Sequence, residues 1–323
     1  MAIARQTIEM NPFFSVVIPV FNKEIYISQT IDSVLKQTFK NFELILVVDP
    51  CTDRTLEVIK GFDDQRIRIF QRNSPGPGGY EARNLGIKNS KTNWIAFLDA
   101  DDTWQELYLE RMFQAIDKYP DHKVFCCGYQ VEAAGSIIPA PFFAKYSLKQ
   151  NMIIDFQQYL EDKPICAINV VVNKSLMREI DGFPEGKFKR GGDNETWLRM
   201  MNAAREAVWV NYLGATWNRL DMNSVTRINE HYTFHHPVRY TVIKLRKLPE
   251  NRHLSEALTS FSNNFVVPGV KAKAARGNLR LFDLRAIFIT RKILRVKIIY
   301  LLLIFSLLPF SVQKKLINVK KDR

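Results

Sequence analysis

Acidic residues are almost absent from one end of this chain. Residues 271–323 hold 14 Lys and Arg against 2 Asp and Glu, so they carry +12 of the +13 formal charge and leave +1 on residues 1–270. A uniformly basic protein would point to nucleic acid. A near-neutral body with a basic tail does not, and nucleic acid is dropped as a partner. Cysteine is scarce too: Cys51, Cys126, Cys127 and Cys166 fit no C-x-x-C or zinc spacing. They are expected to stay free thiols in a reducing compartment. The first residues, MAIARQTIEMNPFF, lack the charged-then-apolar build of a signal peptide, so the protein is expected in the cytoplasm or on the cytosolic face of a membrane. There is no repeat and no low-complexity tract. With 46% hydrophobic and 24% charged residues and 14 each of Gly and Pro, the composition excludes a disordered, collagen-like or heavily membrane-spanning chain. A length of 323 residues suits one large domain or two ordinary ones.

What is present is an alternation of apolar, β-branched runs with helical patterns. Strands are expected at 14–20, 43–48, 66–70, 94–98 and 124–131, and helices at 24–37, 55–61, 79–89 and 105–118. That spacing is the signature of βαβ units on a parallel sheet. After Pro139 the pattern loosens: helices at 155–161, 175–180 and 193–202, a strand at 165–172 and an extended stretch at 207–212. The fold class is therefore α/β with an α+β second half.

In open α/β sheets ligands bind beyond the carboxyl ends of the strands. The residues there are Phe21-Asn22-Lys23-Glu24, the stretch 49–53 with Asp49 and Asp53, and Asp99-Ala100-Asp101-Asp102. Carboxylates so crowded repel one another unless a cation neutralises them. In D-x-D, alternate side chains at a strand end project the same way, and can hold a hard divalent ion that keeps positions open for phosphate oxygens. Such an ion would neutralise a diphosphate leaving group. The same run also reads as an acidic turn capping the helix from Gln105. The glycine-rich stretch 73–80 (NSPGPGGY) is not G-x-G-x-x-G, because Glu81 stands where the third glycine belongs, so a dinucleotide fingerprint is not expected. Asp193, after Gly191 and Gly192, reads as a base near the metal or as an N-cap. His231, His235 and His236 share i,i+4 spacing, but no carboxylate or cysteine accompanies them. Trp197, Trp209 and Trp217 are expected in the core, or stacked on a sugar.

Taken in order, these positions resemble the family 2 glycosyltransferases of the GT-A fold. The resemblance rests on residues 15–22 (SVVIPVFN), on Ser28, 33–38 (SVLKQT) and 42–44 (FEL), on 82–86 (ARNLG), and on 98–102 (LDADD). It continues through Asp193 with Trp197, Leu198 and Arg199, and through 223–226 (NSVT), covering about residues 13–228. It implies an inverting transferase on a GT-A (Rossmann-like), mostly parallel sheet flanked by helices, with a nucleoside-diphosphate sugar as donor and a glycan or lipid-linked acceptor. By the same resemblance Pro19, Phe21 and Glu24 lie by the nucleotide base and Asp49 binds it. Asp99 faces the ribose, Arg83 supports the sugar-diphosphate, and Asp101 holds Mn2+ or Mg2+. Asp193 takes the proton of the acceptor hydroxyl. The chain departs from the pattern at Val48, where the family has a first Asp, at Pro50-Cys51 for Gly-Ser, and at Gly192 for an acidic residue. Asp221 replaces the closing-loop histidine; a carboxylate binds hard cations, so Asp221 is a second candidate metal ligand.

The sequence thus divides into a transferase domain over 1–228, a helical extension over 229–270 and a membrane-associating tail over 271–323. In the tail, 16 uncharged residues (IIYLLLIFSLLPFSVQ) lie between Lys297 and Lys314. As a helix they reach about 24 Å, short of the roughly 30 Å of a bilayer core, and Pro309 interrupts them. A segment lying in the interface of an anionic membrane surface is favoured over a span or a helix packed on the body. Two rival functions are a sugar-phosphate nucleotidyltransferase, which needs a basic glycine-rich loop after the first strand, and a non-catalytic membrane-bound module with a decayed nucleotide pocket.

Overall fold

A computed structural model describes residues 11–133, 135–146, 150–219, 235–290 and 297–318. The strands are β1 (Phe14–Val20), β2 (Phe42–Val48), β3 (Ile67–Gln71), β4 (Trp94–Phe97), β5 (Thr103–Trp104), β6 (Val124–Ala133), β7 (Ser136–Pro139), β8 (Met152–Asp155), β9 (Val170–Asn173) and β10 (Glu206–Asn218). Between them run α1 (Ile27–Leu35), α2 (Thr55–Lys60), α3 (Tyr80–Asn89), α4 (Tyr108–Lys118), α5 (Pro141–Tyr146), α6 (Phe156–Asp162), α7 (Lys174–Glu179) and α8 (Gly192–Ala204). Further helices follow at Pro237–Leu245, Ser255–Ala275, Leu281–Leu284, Lys297–Ser306 and Phe310–Asn318.

The strands form one sheet in the order β3-β2-β1-β4-β9-β6-β10-β5, with β7 on β6 and β8 on β10. The first four are parallel; beyond them β9 runs antiparallel to β4 and β6. β1 and β2 are apolar almost without interruption because helices cover both faces of the sheet. Alternate residues feed two cores. Val17, Ile45, Val47, Ile95 and Phe97 pack on the side of α3, α6, α7 and α8. Val16, Ile18, Leu44, Leu46 and Leu98 pack on the side of α1, α2 and α4. This places the carboxyl ends of β1, β2 and β4 side by side at one edge.

β7, α5 and β8 were not expected from the sequence, and the helix expected over 24–37 is confined to Ile27–Leu35. The helix expected from Gln105 begins at Tyr108, because Thr103 and Trp104 pair with Thr216 and Ala215 as β5. The strand expected over 165–172 is confined to Val170–Asn173. Before it, buried Asn169 donates from Nδ2 to the Cys127 and Pro164 carbonyls (2.6 and 2.8 Å) and so stabilises a turn. The extended stretch from 207 runs to Asn218, with register shifts on either side of Leu213.

The 16-residue uncharged run is split into the helices Lys297–Ser306 and Phe310–Asn318 by the turn at Pro309. Among the described residues no helix is long and apolar enough to cross a membrane. Leu302 packs with Val266, Val270, Leu279 and Ala286 in a small third core, and Gln313 bonds both the amide and the carbonyl of Leu279. Phe305 is partly buried against this core, while Leu301, Leu303, Ile304, Leu307 and Phe310 are exposed.

Candidate functional site

The loops after β1 and β2 lock together. Asn22 has φ of 50°, a left-handed conformation that asparagine tolerates better than most residues. Its Nδ2 donates to Thr52 Oγ1 (3.1 Å) and its Oδ1 accepts from the Thr52 amide (2.8 Å). The Lys23 amide donates to Thr55 Oγ1 (2.7 Å). Glu24 accepts from the Arg54 amide at the start of α2 (2.9 Å), so its carboxylate is engaged in joining the loops. Phe21 is exposed beside this latch. The Pro19 ring flanks Gly79, which precedes α3 with φ of 72°.

Asp49, at the end of β2, is buried with both oxygens engaged: Oδ1 accepts from Arg72 Nη1 (2.7 Å) and Oδ2 from the Gly76 amide (3.2 Å). Burial pushes its carboxyl above the ordinary value in spite of these two donors. The glycine-rich stretch therefore meets a carboxylate of the protein itself.

The acidic run after β4 divides its labour. Asp99 accepts from Arg83 Nη2 (2.5 Å), while the Arg83 Nε is buried without a hydrogen-bond partner among the described residues. Asp101 pairs with Lys23 Nζ (2.7 Å). Asp102 turns inward, accepts from the Asn218 amide (2.7 Å), and is raised well above the ordinary range by burial and then by Asp101 and Asp99. None of the three caps α4, whose N-cap is Leu107 with no side-chain bond.

Asp193 is not a cap either. The N-cap of α8 is Gly191, with φ of 78°, and Asp193 stands in the first turn. It is half-buried, with Asn194 Nδ2 donating to its Oδ1 (3.1 Å). Burial raises its carboxyl above the ordinary value; Arg83 opposes this and Asp99 adds to it. Arg190 faces the same carboxylate, with burial lowering its own value. The structure therefore gathers Asp99, Arg83 and Asp193 into one electrostatic unit, with Asp101 and Lys23 beside it. Gly192 has a steric reason to lack a side chain. A Cβ there would lie 2.7 Å from Tyr80 Cζ and 2.9 Å from Pro184 Cγ, and the Gly192 amide donates to the Tyr80 hydroxyl (2.9 Å).

Asp221, residues 223–226 and His231 lie outside the described residues. His236 is buried and caps the helix Pro237–Leu245, with its Nδ1 accepting from the Val238 amide (3.3 Å). His235 pairs with the Tyr240 hydroxyl. Trp197 and Trp209 are core residues, and Trp217 lies under the Arg219 guanidinium (5.2 Å). The four cysteines are free. Among the described residues no three His, Cys, Asp or Glu side chains gather into a set that could hold a metal ion unaided.

Sequence reasoning missed Arg72, Arg190 and the pairing of Lys23. A basic residue just past a strand end, as Arg72 is past β3, was the available signal. Glu195 was also missed: buried on α8, it accepts from Arg199 Nε (2.7 Å) and Thr241 Oγ1 (2.7 Å). It thereby ties the helix bearing Asp193 to Pro237–Leu245.

Residues 15–182 match the profile of the family described as Glycosyl transferase family 2. The glycosyltransferase GlyA of Streptococcus pneumoniae is 35% identical over 105 residues, which cover 32% of this chain and 15% of that one. An uncharacterized glycosyltransferase of Rickettsia felis is 30% identical over 281 residues, 80% of this chain and 45% of that one. The chain thus spans less than half the length of these relatives. The Escherichia coli protein WfgD, named UDP-Glc:alpha-D-GlcNAc-diphosphoundecaprenol beta-1,3-glucosyltransferase, is 31% identical over 188 residues, 58% of this chain and 69% of that one. Among solved structures, Staphylococcus aureus TarS 1–349 in complex with UDP-GlcNAc aligns with a TM-score of 0.74 at 16% identity, covering 96% of this chain and 92% of that one. At that identity the likeness is one of fold.

Proposed function

Because the chain belongs to glycosyl transferase family 2, we propose that it moves a sugar from a nucleoside-diphosphate sugar to a hydroxyl of a glycan precursor, with inversion at the anomeric carbon. The observation that carries this reading is the meeting of Arg83, Asp99 and Asp193 across the ends of β4, α3 and α8. Arg83 is buried, pinned to Asp99 through Nη2, and keeps an unpartnered Nε, which suits it to a phosphate or sugar oxygen. Asp193 is the base: it takes the acceptor proton as that oxygen attacks the anomeric carbon opposite the departing diphosphate. Its raised carboxyl favours this, since a base works best with a value near the working pH. Asp99 orients Arg83 and faces the ribose, while Pro19, Phe21 and Asp49 border the nucleotide base. Arg72 already holds Asp49, so Glu24 and Asp49 act through the loop they brace as much as by direct contact.

A divalent ion with few protein ligands belongs to this reading. Asp101 offers a hard oxygen ligand that is 15% exposed, and with few protein ligands the remaining positions would go to phosphate oxygens and water, the habit of Mg2+ sites. Mn2+ or Mg2+ held by Asp101, with Asp221 as a second ligand, would supply neutralisation of the diphosphate.

The name of WfgD specifies a lipid-linked acceptor, and a lipid-linked glycan precursor is the acceptor class proposed here. The exposed apolar side chains of the last two helices, with Arg280 over the Phe310 ring and Lys314 and Lys315 on the last helix, support a tail that rests on an anionic membrane surface at the cytosolic face. The divisions near residues 228 and 270 belong to the same reading.

The test is Asp193→Asn against a panel of nucleotide sugars with Mn2+ or Mg2+. Nucleoside diphosphate release should fall by about 10²–10⁴-fold, the usual worth of a general base, while calorimetry finds donor binding retained. Turnover near wild type would reject the assignment of Asp193.

A further inference from the structure

Lys23 occupies the carboxylate to which the metal reading gives the ion. Its ammonium lies 2.7 Å from Asp101 Oδ2, and the two side chains are only 16% and 15% exposed. The backbone that delivers it is fixed at several points: by the Asn22–Thr52 latch, by the Lys23 amide on Thr55 Oγ1, and by the Glu24 amide on Asp53 Oδ2 (3.2 Å). Burial would raise the Asp53 carboxyl, but the bonds it accepts from Thr55 and from the Glu24 amide together hold it below the ordinary value. What can move is therefore the side chain of Lys23, a compact point charge on a flexible four-carbon stem.

Charge balance shows what that freedom is for. Asp99 has Arg83 and Asp101 has Lys23, while Asp102 is turned inward onto the Asn218 amide. Asp99 and Asp101 are thus each paired with a cation of the protein's own. An ammonium and a divalent ion compete for one carboxylate, since each is repelled by the other at that distance. A donor brings in the negative charge of two phosphates, and an ammonium displaced from Asp101 stays within its stem's reach of the same place.

We propose that Lys23 and the divalent cation are alternative partners of Asp101, and that Lys23, once displaced by the cation, binds the diphosphate of the donor. Lys23 is then both a guard of the ion site and a donor-binding residue. This rests on the nucleotide-sugar reading above. Arg83, fixed on Asp99, cannot exchange partners in this way without losing the bond that orients it; Lys23 can.

The experiment uses the full chain, as wild type and as Lys23→Gln, Lys23→Arg and Asp101→Asn, each checked for an unchanged thermal midpoint. Mn2+ alone is titrated by electron paramagnetic resonance, and UDP, GDP and dTDP are titrated by calorimetry in saturating Mn2+. Lys23→Gln should bind Mn2+ on the order of tenfold more tightly than wild type, and its best nucleotide on the order of tenfold more weakly. Lys23→Arg, which keeps the charge, should bind Mn2+ as wild type does, and Asp101→Asn should lose Mn2+ binding. Mn2+ affinity that is unchanged or weaker in Lys23→Gln overturns the competition, and unchanged nucleotide affinity overturns the role at the diphosphate. A wild-type protein that binds none of the three nucleotides overturns the donor reading and this inference together. Nucleotide binding by wild type with an indifferent Lys23→Gln overturns the inference alone.

Discussion

At the scale of single residues, the base proposed at Asp193 would owe its chemistry to burial, and its position is set by Gly191, whose left-handed backbone starts α8 without a side-chain cap. Burial raises the Asp193 carboxyl and Arg83 lowers it. A base acts when ionised, so transfer should fall as the pH drops through a value above the ordinary aspartate range. Removing the opposing cation raises that value further. In Arg83→Met the acid limb of kcat against pH should therefore move to higher pH, measured at saturating donor; a limb that stays put or moves down would reject the coupling. The places of Asp99 and Asp101 after β4 and of Asp193 at the start of α8 were legible because strand and helix patterning fixes them locally. The partners of Lys23 and Glu24 were not. A lysine's spacing in sequence does not say which of several carboxylates its stem reaches. Glu24, expected at the base, is also committed to the Arg54 amide. The absence of an acidic residue at 192 was visible, but its cause, the Tyr80 ring, lies 112 positions away.

At the scale of elements, the parallel half of the sheet was readable almost to the residue. Strands buried on both faces are continuous apolar runs bounded by turn residues. β5 has two residues and no period to detect, and the turn before β9 depends on Asn169 reaching the Cys127 and Pro164 carbonyls. Close packing of α3 on β1 sets a sharper constraint. A Cβ on Gly86 would lie 2.4 Å from Val17 Cγ1, and Val17 is fully buried in the centre of the sheet. Gly86→Ala should gain about 0.8–1 kcal/mol of helix propensity and lose more to overpacking, for which about 1–3 kcal/mol is typical. A net loss of stability in chemical denaturation is the expected outcome, and a stabilised variant would show that α3 can shift off β1. The Glu195–Thr241 bond predicts a smaller effect. Thr241→Val should cost about 1 kcal/mol, read from the same curves.

At the scale of the whole molecule, the charge asymmetry and the Pro309 break were plain in the sequence. The docking of Leu302 and Gln313 was not, because it depends on residues of the helix Ser255–Ala275 and the turn after it. Leu301 and Ile304 are 64% and 61% exposed, so replacing both by Glu should leave the thermal midpoint within about 2 °C of wild type. Sedimentation with vesicles rich in phosphatidylglycerol should nevertheless drop on the order of tenfold, because inserted apolar area and cationic attraction act together. Equal sedimentation of the two proteins would reject the surface. On the proposed function, two short helices jointed at a proline also change what concentration means. A transferase resting on a leaflet would search for a lipid-linked acceptor in two dimensions, so its rate should follow the acceptor's mole fraction among the lipids. Diluting the acceptor with inert lipid at constant bulk molarity should slow it, much as lowering a soluble substrate slows an enzyme in solution.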